Sequence, residues 1–291
     1  MDRVMIAKVI KRIGAIAALL VGPQAMAQDT CGAEVACEIE GGSYHIKMPQ
    51  ALPAKGAVVF LHGWGGAGSG TINNRRWVPA TLAAGYAVIA PNGTPRQGRS
   101  GLRWSFHPDW PQARDDVAFL AQVRDDAVER FDIDPNRMIL GGFSIGGSMT
   151  HYTACATPEA FAAYVPVAGA LWRPHPKECA GPVRMLHTHG WTDTTVPLEG
   201  RVVRGADAND PDAFIQGDVF YAMQLWRQEN ECVQLRGDRF QMSGQFWRRA
   251  WDRCALGTAL ELALFPGGHT VPDGWAEMML DWLSTLDMPE G

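Results

Sequence analysis

Ser144 stands in a Gly-x-Ser-x-Gly pattern, which suits a serine to covalent chemistry. The apolar stretch 137–140 leads into the pattern, and a helix-like stretch follows it. A strand, a sharp turn and a helix in this order lift the serine hydroxyl clear of a sheet. A histidine then reaches the hydroxyl from one side and a substrate from the other. Glycines at 142 and 146 let the backbone cross itself closely at the turn. The pattern therefore predicts Ser144 as a nucleophile.

The two partners that such a serine needs follow it along the chain. Asp193 comes after the strand-like stretch 183–187, and His269 comes after the strand-like stretch 259–265. Serine is a weak nucleophile at neutral pH, so it requires a histidine base and an acid that orients the histidine. The order serine, acid, histidine is typical of the nucleophile-elbow architecture. Catalytic groups of open α/β sheets also gather beyond the carboxyl ends of strands. We therefore predict a triad of Ser144, Asp193 and His269.

A glycine-rich loop after the first buried strand is the candidate for stabilising negative charge. The loop 62–66 follows the apolar run 57–61. Acyl transfer requires two preorganised N–H donors where the oxyanion develops. The backbone amides of Trp64 and of Ile145, the residue after the nucleophile, are the predicted donors. We expect His62 to hold this loop in place.

Two other patterns suggest a cofactor or a metal, and both lack a required partner. Gly63, Gly65 and Gly68 match Gly-x-Gly-x-x-Gly, but no Asp or Glu occurs from residue 71 to 100 to bind a ribose hydroxyl. The pattern His187-x-His189-x-x-x-Asp193 places two histidines on one side of a strand, as a zinc site would, but no further ligand of fitting spacing is evident. We expect His187 to pack at the strand end and His189 to support the Asp193 loop. The sequence thus predicts neither a cofactor nor a metal.

The first 27 residues have the pattern of an export signal. Four basic residues precede the short apolar run 13–21, and residues 25–27 form a small-x-small cleavage site. Removal of residues 1–27 takes away four basic residues and one acidic residue, which changes the net charge from −5 to −8. An acidic surface argues against nucleic acid as a partner. No later stretch is long and apolar enough to span a membrane, and we expect a secreted or periplasmic protein.

Strand-like and helix-like stretches alternate in the mature chain, which predicts a parallel sheet covered by helices on both faces. Residues 28–291 are of a size that suits a single α/β domain. We predict an edge strand at 43–48, buried strands near 57–61, 86–90, 137–140, 164–168, 183–187 and 259–265, and helices near 77–84, 115–131, 145–156 and 218–228. The polar stretch 198–215 is a candidate lid or substrate rim.

Six cysteines in an exported chain indicate disulfides, for which fifteen connectivities are possible. The sequence contains no Cys-x-x-Cys pattern, which would favour a metal site instead. We favour the three pairs that close short loops, which are Cys31–Cys37, Cys155–Cys179 and Cys232–Cys254.

Over residues 40–285 the chain resembles the α/β-hydrolase esterases that include extracellular polyhydroxybutyrate depolymerases and feruloyl or acetylxylan esterases. The matching segments are 61–63, 103–104, 116–120, 134–137, 142–149, 189–197 and 267–272. The resemblance implies an α/β-hydrolase fold and a serine esterase acting through an acyl-enzyme on a small or polymeric ester. It gives Ser144, Asp193 and His269 the triad roles and Trp64 and Ile145 the oxyanion roles. The family often carries a cysteine pair flanking the strand before the catalytic histidine, which matches Cys232 and Cys254.

Substrate binding and the alternative functions are less constrained by the sequence. Trp104 and Trp191 are candidate substrate-binding residues, with Trp110 and Trp172 as further members of an aromatic cleft. The same side chains would serve equally as core and rim packing. A small serine peptidase of the same fold and a non-catalytic binding protein with this fold are the alternatives to an esterase.

Overall fold

The computed structural model describes residues 31–203, 205–210 and 212–287, together with Met1. The predicted signal peptide and its cleavage site before residue 28 therefore lie outside the described residues, apart from Met1.

A ten-stranded sheet with a parallel centre forms the framework of the fold. The strands of the chain are β1 (Cys37–Ile39), β2 (Gly42–Lys47), β3 (Ala57–Leu61), β4 (Ala87–Pro91), β5 (Thr94–Pro95), β6 (Leu102–Arg103), β7 (Met138–Phe143), β8 (Ala163–Val167), β9 (Arg184–Gly190), β10 (Arg201–Val202), β11 (Ile215–Gln216), β12 (Arg239–Ser243), β13 (Phe246–Trp251) and β14 (Ala259–Phe265). The large sheet has the order β1-β2-β4-β3-β7-β8-β9-β14-β13-β12. The six strands from β4 to β14 in this order are parallel, and an antiparallel pair flanks them at each edge. The short pairs β5–β6 and β10–β11 form separate two-stranded ribbons.

Helices cover both faces of this sheet. They are α1 (Gly68–Ile72), α2 (Val78–Ala83), α3 (Asp116–Phe131), α4 (Ile145–Ala156), α5 (Val219–Glu229) and α6 (Trp275–Ser284), with 3₁₀ turns at Pro135–Arg137 and Pro158–Ala160. One apolar core packs α3, α4 and α5 against one face, and a second packs α2 and α6 against the other. Because both faces are covered, central strands such as β3 are apolar at every position. The predicted layered α/β architecture is thus confirmed.

Local sequence explains where helices α3 and α5 begin. The Asp115 side chain accepts a hydrogen bond from the Ala118 N–H at the start of α3, and the Asp218 side chain accepts one from the Tyr221 N–H at the start of α5. Helix α3 ends at Asp132, which adopts a left-handed conformation with φ of 54°. These caps fix the helix boundaries within one residue of the predicted ones.

The hairpin β12–β13 and helices α1 and α6 are elements that the sequence analysis does not predict. In β13 the pattern is obscured by Arg248, which is buried although it is charged. Its guanidinium pairs with Glu261 of the neighbouring strand β14 and lies 3.0 Å from Asp281 of α6. A buried arginine is stable only with such partners, and these lie on other elements.

No helix in the described part of the chain has the length and apolar character needed to cross a membrane.

Three disulfides join Cys31 to Cys37, Cys155 to Cys179 and Cys232 to Cys254. These are the short-loop pairs that the sequence analysis favours. Cys232 follows α5 and Cys254 precedes β14, the strand that leads to His269. The third bridge therefore fastens the start of that strand.

Replacing Cys232 and Cys254 with serine should lower the melting temperature more than replacing Cys31 and Cys37. The sequence separations are 22 and 6 residues, for which loop entropy predicts about 3 and about 2 kcal/mol of stabilisation. The first change should also lower activity more, since it loosens the strand that delivers His269. Calorimetry and ester turnover of the two double variants provide the comparison, and equal losses would contradict it.

Candidate active site

Three strand ends bring Ser144, His269 and Asp193 into contact. Ser144 follows β7, Asp193 lies in the turn after β9, and His269 lies in the loop after β14. The His269 ring joins the other two, with Nε2 2.8 Å from Ser144 Oγ and Nδ1 2.7 Å from Asp193 Oδ2. Because an ionised carboxylate only accepts hydrogen bonds, Nδ1 carries the proton. Nε2 is then left to accept the proton of the Ser144 hydroxyl.

The backbone at Ser144 has the sharp turn that the motif predicts. Ser144 has φ of 60° and ψ of −121°, a conformation that side chains rarely adopt, and α4 begins at the next residue. The turn requires close backbone crossing, since a Cβ at Gly142 would lie 2.4 Å from the Gly146 carbonyl oxygen, and one at Gly146 would lie 2.5 Å from that of Leu61. The glycines of the motif are therefore required by packing.

Asp193 is held as a buried carboxylate. Its Oδ1 accepts the backbone N–H groups of Thr195 and Val196, both at 2.8 Å, while Oδ2 faces His269. Burial alone would raise the pKa of Asp193, but the hydrogen bonds from His269 and Val196 hold that pKa below its ordinary value. The group is charged and oriented at neutral pH.

The surface beside His269 is open and basic. The phenyl ring of Phe143 packs against the His269 ring with centroids 4.7 Å apart. A cavity of about 410 Å³ adjoins them, and its further lining residues are Asn74, Arg75, Arg76, Thr270 and Val271. Arg76 is tied to Thr270 Oγ1 at 3.2 Å and to Asp273 at 3.7 Å. Two arginines therefore line the surface close to the histidine.

The loop 62–66 lies against the Ser144 turn. A Cβ at Gly63 would lie 3.5 Å from the Ser144 Cβ. The backbone N–H groups of Trp64 and Ile145 donate to no acceptor in the described part of the chain, which leaves both able to bind a developing oxyanion. His62 fixes the loop, because its Nε2 accepts the Gly93 N–H at 3.0 Å and its Nδ1 lies 2.8 Å from the Gly63 carbonyl oxygen. Burial lowers the pKa of His62 to about 4, so the ring is neutral.

The prediction that Trp104 contacts substrate is wrong. Its side chain is 0% exposed, and its indole N–H donates to the His62 carbonyl oxygen at 2.9 Å. Trp104 thus supports the loop from beneath. Its partner lies 42 residues earlier in the chain, which no local pattern reveals.

Of the other tryptophans considered for a cleft, Trp110 and Trp172 are packed in a cluster and Trp191 is exposed. Trp110, Trp172 and Phe214 form a cluster with ring centroids 5.2–5.4 Å apart. Phe214 belongs to the stretch 198–215, so that stretch contributes a ring to the cluster. Trp191 is 57% exposed and borders a groove of about 770 Å³ between α5 and the strands β12–β14. It remains a candidate for binding.

His187 and His189 lie together on β9, which extends to residue 190, further than predicted. Their rings are buried and joined by a hydrogen bond of 3.0 Å, and His187 also contacts His151 of α4 at 2.9 Å. His189 Nε2 lies 2.7 Å from the Val196 carbonyl oxygen, within the Asp193 turn. No cluster of three or more metal-ligating side chains suitable for an ion occurs among the described residues. His151 is absent from the sequence-based site, because only folding brings it to β9.

Acid should destabilise the protein through His151. Burial, followed by the proximity of His189, lowers the pKa of His151 to about 3, whereas an unfolded histidine takes a proton near pH 6.5. Between these values the unfolded chain binds more protons. The free energy of unfolding should therefore fall as the pH is lowered from 6.5 to about 3, by about 5 kcal/mol from this residue, and this destabilisation should be absent above pH 6.5.

Urea unfolding at pH 7 and at pH 4.5 measures this effect. His151→Gln removes the titrating group, and its amide can still accept and donate hydrogen bonds. The variant should lose less stability between the two pH values than the wild type. An equal loss in both proteins would contradict the assignment to His151.

Known proteins that are similar to this chain include two that are named as esterases. A feruloyl esterase B of Piromyces equi is 26% identical over 260 residues, which cover 84% of this chain and 45% of that protein. A bifunctional acetylxylan esterase/xylanase of Neocallimastix patriciarum is 27% identical over 175 residues, covering 60% of this chain and 24% of that protein. The chain thus spans less than half the length of these two curated relatives.

A solved structure supports the fold, and a family model supports the classification. The acetyl xylan esterase from Aspergillus awamori superposes with a TM-score of 0.61 at 17% identity, covering 84% of this chain and 94% of that one. The family model described as Phospholipase/Carboxylesterase matches residues 45–204, more than half of the chain. The protein therefore belongs to the phospholipase/carboxylesterase family, whose members are α/β-hydrolase enzymes acting on esters.

Proposed function

We propose that this protein is an exported serine esterase that removes feruloyl or acetyl groups from plant polysaccharides. The observation that carries the proposal is the hydrogen-bonded line Ser144–His269–Asp193, with bonds of 2.8 and 2.7 Å, beside the available N–H groups of Trp64 and Ile145. In this proposal Ser144 is the nucleophile, His269 the base and Asp193 the orienting acid. The backbone amides of Trp64 and Ile145 bind the oxyanion.

In the first half of the reaction the acyl group moves to the enzyme. Ser144 Oγ attacks the ester carbonyl carbon while His269 Nε2 takes the hydroxyl proton. The carbonyl oxygen becomes an oxyanion, which the two amides stabilise. When the intermediate collapses, the bond to the leaving alcohol breaks and the imidazolium donates its proton to that alcohol oxygen. The acyl group stays on Ser144.

In the second half water releases the acid. His269 Nε2 takes a proton from water, and the resulting hydroxide attacks the acyl carbon. The intermediate collapses and returns the proton from His269 to Ser144. Asp193 stays charged throughout, because its hydrogen bonds stabilise the carboxylate and hold its pKa low.

The names of the relatives support the choice of substrate class. The curated relatives of Piromyces equi and Neocallimastix patriciarum carry the names feruloyl esterase and acetylxylan esterase. The open surface beside His269 suits an ester on a large polar polymer, since Arg75 and Arg76 there can bind hydroxyl or carboxylate groups.

A different surface favours a second candidate, the hydrolysis of an apolar polyester such as polyhydroxybutyrate. The groove beside Trp191 carries exposed apolar side chains, which include Leu235, Phe240 and Met242. Apolar surface of this kind fits contact with an apolar polymer. Both candidates use the same triad and differ in the acyl group and the polymer.

A panel of substrates distinguishes these functions. We expect the wild-type protein to hydrolyse methyl ferulate or acetylated xylan faster than polyhydroxybutyrate or a peptide anilide, with Ser144→Ala as the matched inactive control. Preferential cleavage of the polyester or the anilide would replace the proposed class by a depolymerase or a peptidase. Absence of turnover on every substrate would favour a non-catalytic binding protein.

EDTA should leave the activity unchanged, and a loss restored by zinc would contradict a metal-free mechanism.

We also propose that residues 1–27 are removed on export and that residues 28–291 form a single catalytic domain. Three disulfides support an oxidising compartment, either the periplasm or the exterior. N-terminal sequencing of the exported protein should begin at Gln28, and an intact N-terminus would contradict cleavage.

A further inference from the structure

Four buried side chains form one hydrogen-bonded line that ends at the Asp193 turn. Trp226 Nε1 lies 2.9 Å from His151 Nδ1, His151 Nε2 lies 2.9 Å from His187 Nδ1, and His187 Nε2 lies 3.0 Å from His189 Nδ1. The last bond joins His189 Nε2 to the Val196 carbonyl oxygen at 2.7 Å. All four side chains belong to residues that are 0% exposed, so water does not compete for these bonds.

The donor at one end of the line and the acceptor at the other determine which nitrogen of each histidine carries its proton. The indole N–H of Trp226 only donates, and the carbonyl of Val196 only accepts. Each neutral histidine has one N–H, so all four bonds form only when each ring carries its proton on Nε2. A second proton on any ring would point one N–H at another or at the indole. Burial lowers the pKa of His187 well below its ordinary value, which agrees with neutral rings.

The end of the line contacts the carboxylate turn on two sides. Val196 accepts from His189 through its carbonyl, and its own N–H donates to Asp193 Oδ1 at 2.8 Å. His189 Nε2 also lies 3.5 Å from Asp193 Oδ2, the oxygen that faces His269. The buried line thus positions Asp193 in two ways. It holds Val196, which donates to Asp193, and it directs the His189 N–H dipole beside the carboxylate.

We propose that His189 is a positioning residue for Asp193 and that Trp226, His151 and His187 hold His189 in the tautomer which this role requires. The inference rests on the proposed function, in which Asp193 orients His269. The N–H of a neutral His189 stabilises the Asp193 carboxylate without competing with His269 for it. A positively charged ring at 189 would instead draw Asp193 away from His269. The line therefore supplies orientation without adding charge.

Two substitutions at position 189 separate orientation from space filling. His189→Gln places an amide N–H near the position of Nε2 and keeps the donor to Val196. His189→Asn is shorter by one methylene and loses that donor. The Asn variant should lower kcat by about 10- to 100-fold with KM changed by less than about twofold, and the Gln variant should recover most of the loss.

The proton between His269 and Asp193 gives a second readout that requires no activity. Its low-field NMR resonance can be recorded in a Ser144→Ala background, so failure of the proposed chemistry would not remove the measurement. His189→Asn should move or broaden this resonance, and His189→Gln should leave it near the wild-type position. Nitrogen-15 NMR of the wild-type rings should show the proton on Nε2 in His151, His187 and His189.

Three outcomes would overturn the proposal. One is a different tautomer at His151, His187 or His189 in the wild-type protein. Another is wild-type kcat in both variants at position 189. The last is an equal loss of kcat in both variants while the His269–Asp193 resonance stays unchanged, which would reduce His189 to a packing role.

Discussion

Ser144→Ala should abolish ester turnover and leave the fold intact. The hydroxyl forms the bond to the acyl carbon, so its loss should lower kcat by about 10⁶-fold. Alanine retains the Cβ and the left-handed φ of 60° that serine already adopts at the turn, so the melting temperature should stay close to that of the wild type. Steady-state kinetics and calorimetry on the same preparation test both statements.

Ser148 offers a matched control one helical turn away. Its buried hydroxyl accepts hydrogen bonds from the Trp172 indole and the Ala170 N–H, at 3.2 and 3.3 Å, and has no contact with His269. Ser148→Ala should therefore lower stability while turnover persists. An organophosphonate should label Ser144 alone in the wild type. Labelling of another serine, or turnover by Ser144→Ala, would refute the nucleophile assignment.

Asp193→Asn should lower kcat by about 10⁴-fold in a folded protein. The amide oxygen can still accept from Thr195 and Val196, so the turn survives. The amide nitrogen would then face His269 Nδ1 and donate to it, which moves the ring proton to Nε2. In that tautomer the histidine cannot accept the proton of Ser144.

Asp273 provides the control for a general effect of lost charge. It follows His269 closely in sequence, yet its side chain is 84% exposed and lies 3.7 Å from Arg76. Exposed ion pairs contribute little, so Asp273→Asn should change kcat by less than about twofold. A larger loss from Asp273→Asn than from Asp193→Asn would reverse the assignment of the acid.

The elements around the nucleophile could be predicted from the sequence because local patterns specify them. The apolar run before Ser144 and the glycines beside it predict β7, the turn and the start of α4 at Ile145, and the structure has that boundary. Strands β3 and β14 likewise have the predicted bounds, since buried parallel strands are continuous apolar runs.

The unpredicted parts depend on partners that are distant in sequence. Arg248 breaks the alternation of β13, and only its pairing with Glu261 and Asp281 makes it a strand residue. Trp104 is of a residue type that often binds substrates, but its hydrogen bond to the His62 carbonyl oxygen makes it a support for the loop 62–66. His151 becomes part of the site through contacts with α5 and β9 that sequence spacing does not indicate.

The crowding around the Ser144 turn restricts how this enzyme can diverge. No side chain fits at Gly142 or Gly146 without moving a neighbouring backbone carbonyl, so mutations there should be purged rather than yield new activities. Variation is tolerated where side chains already face solvent, as at residues 97–100 and 207–210. A directed-evolution library aimed at new acyl groups should therefore randomise those two stretches and leave the elbow unchanged. Any duplicated copy that acquires a new substrate should carry its differences there as well.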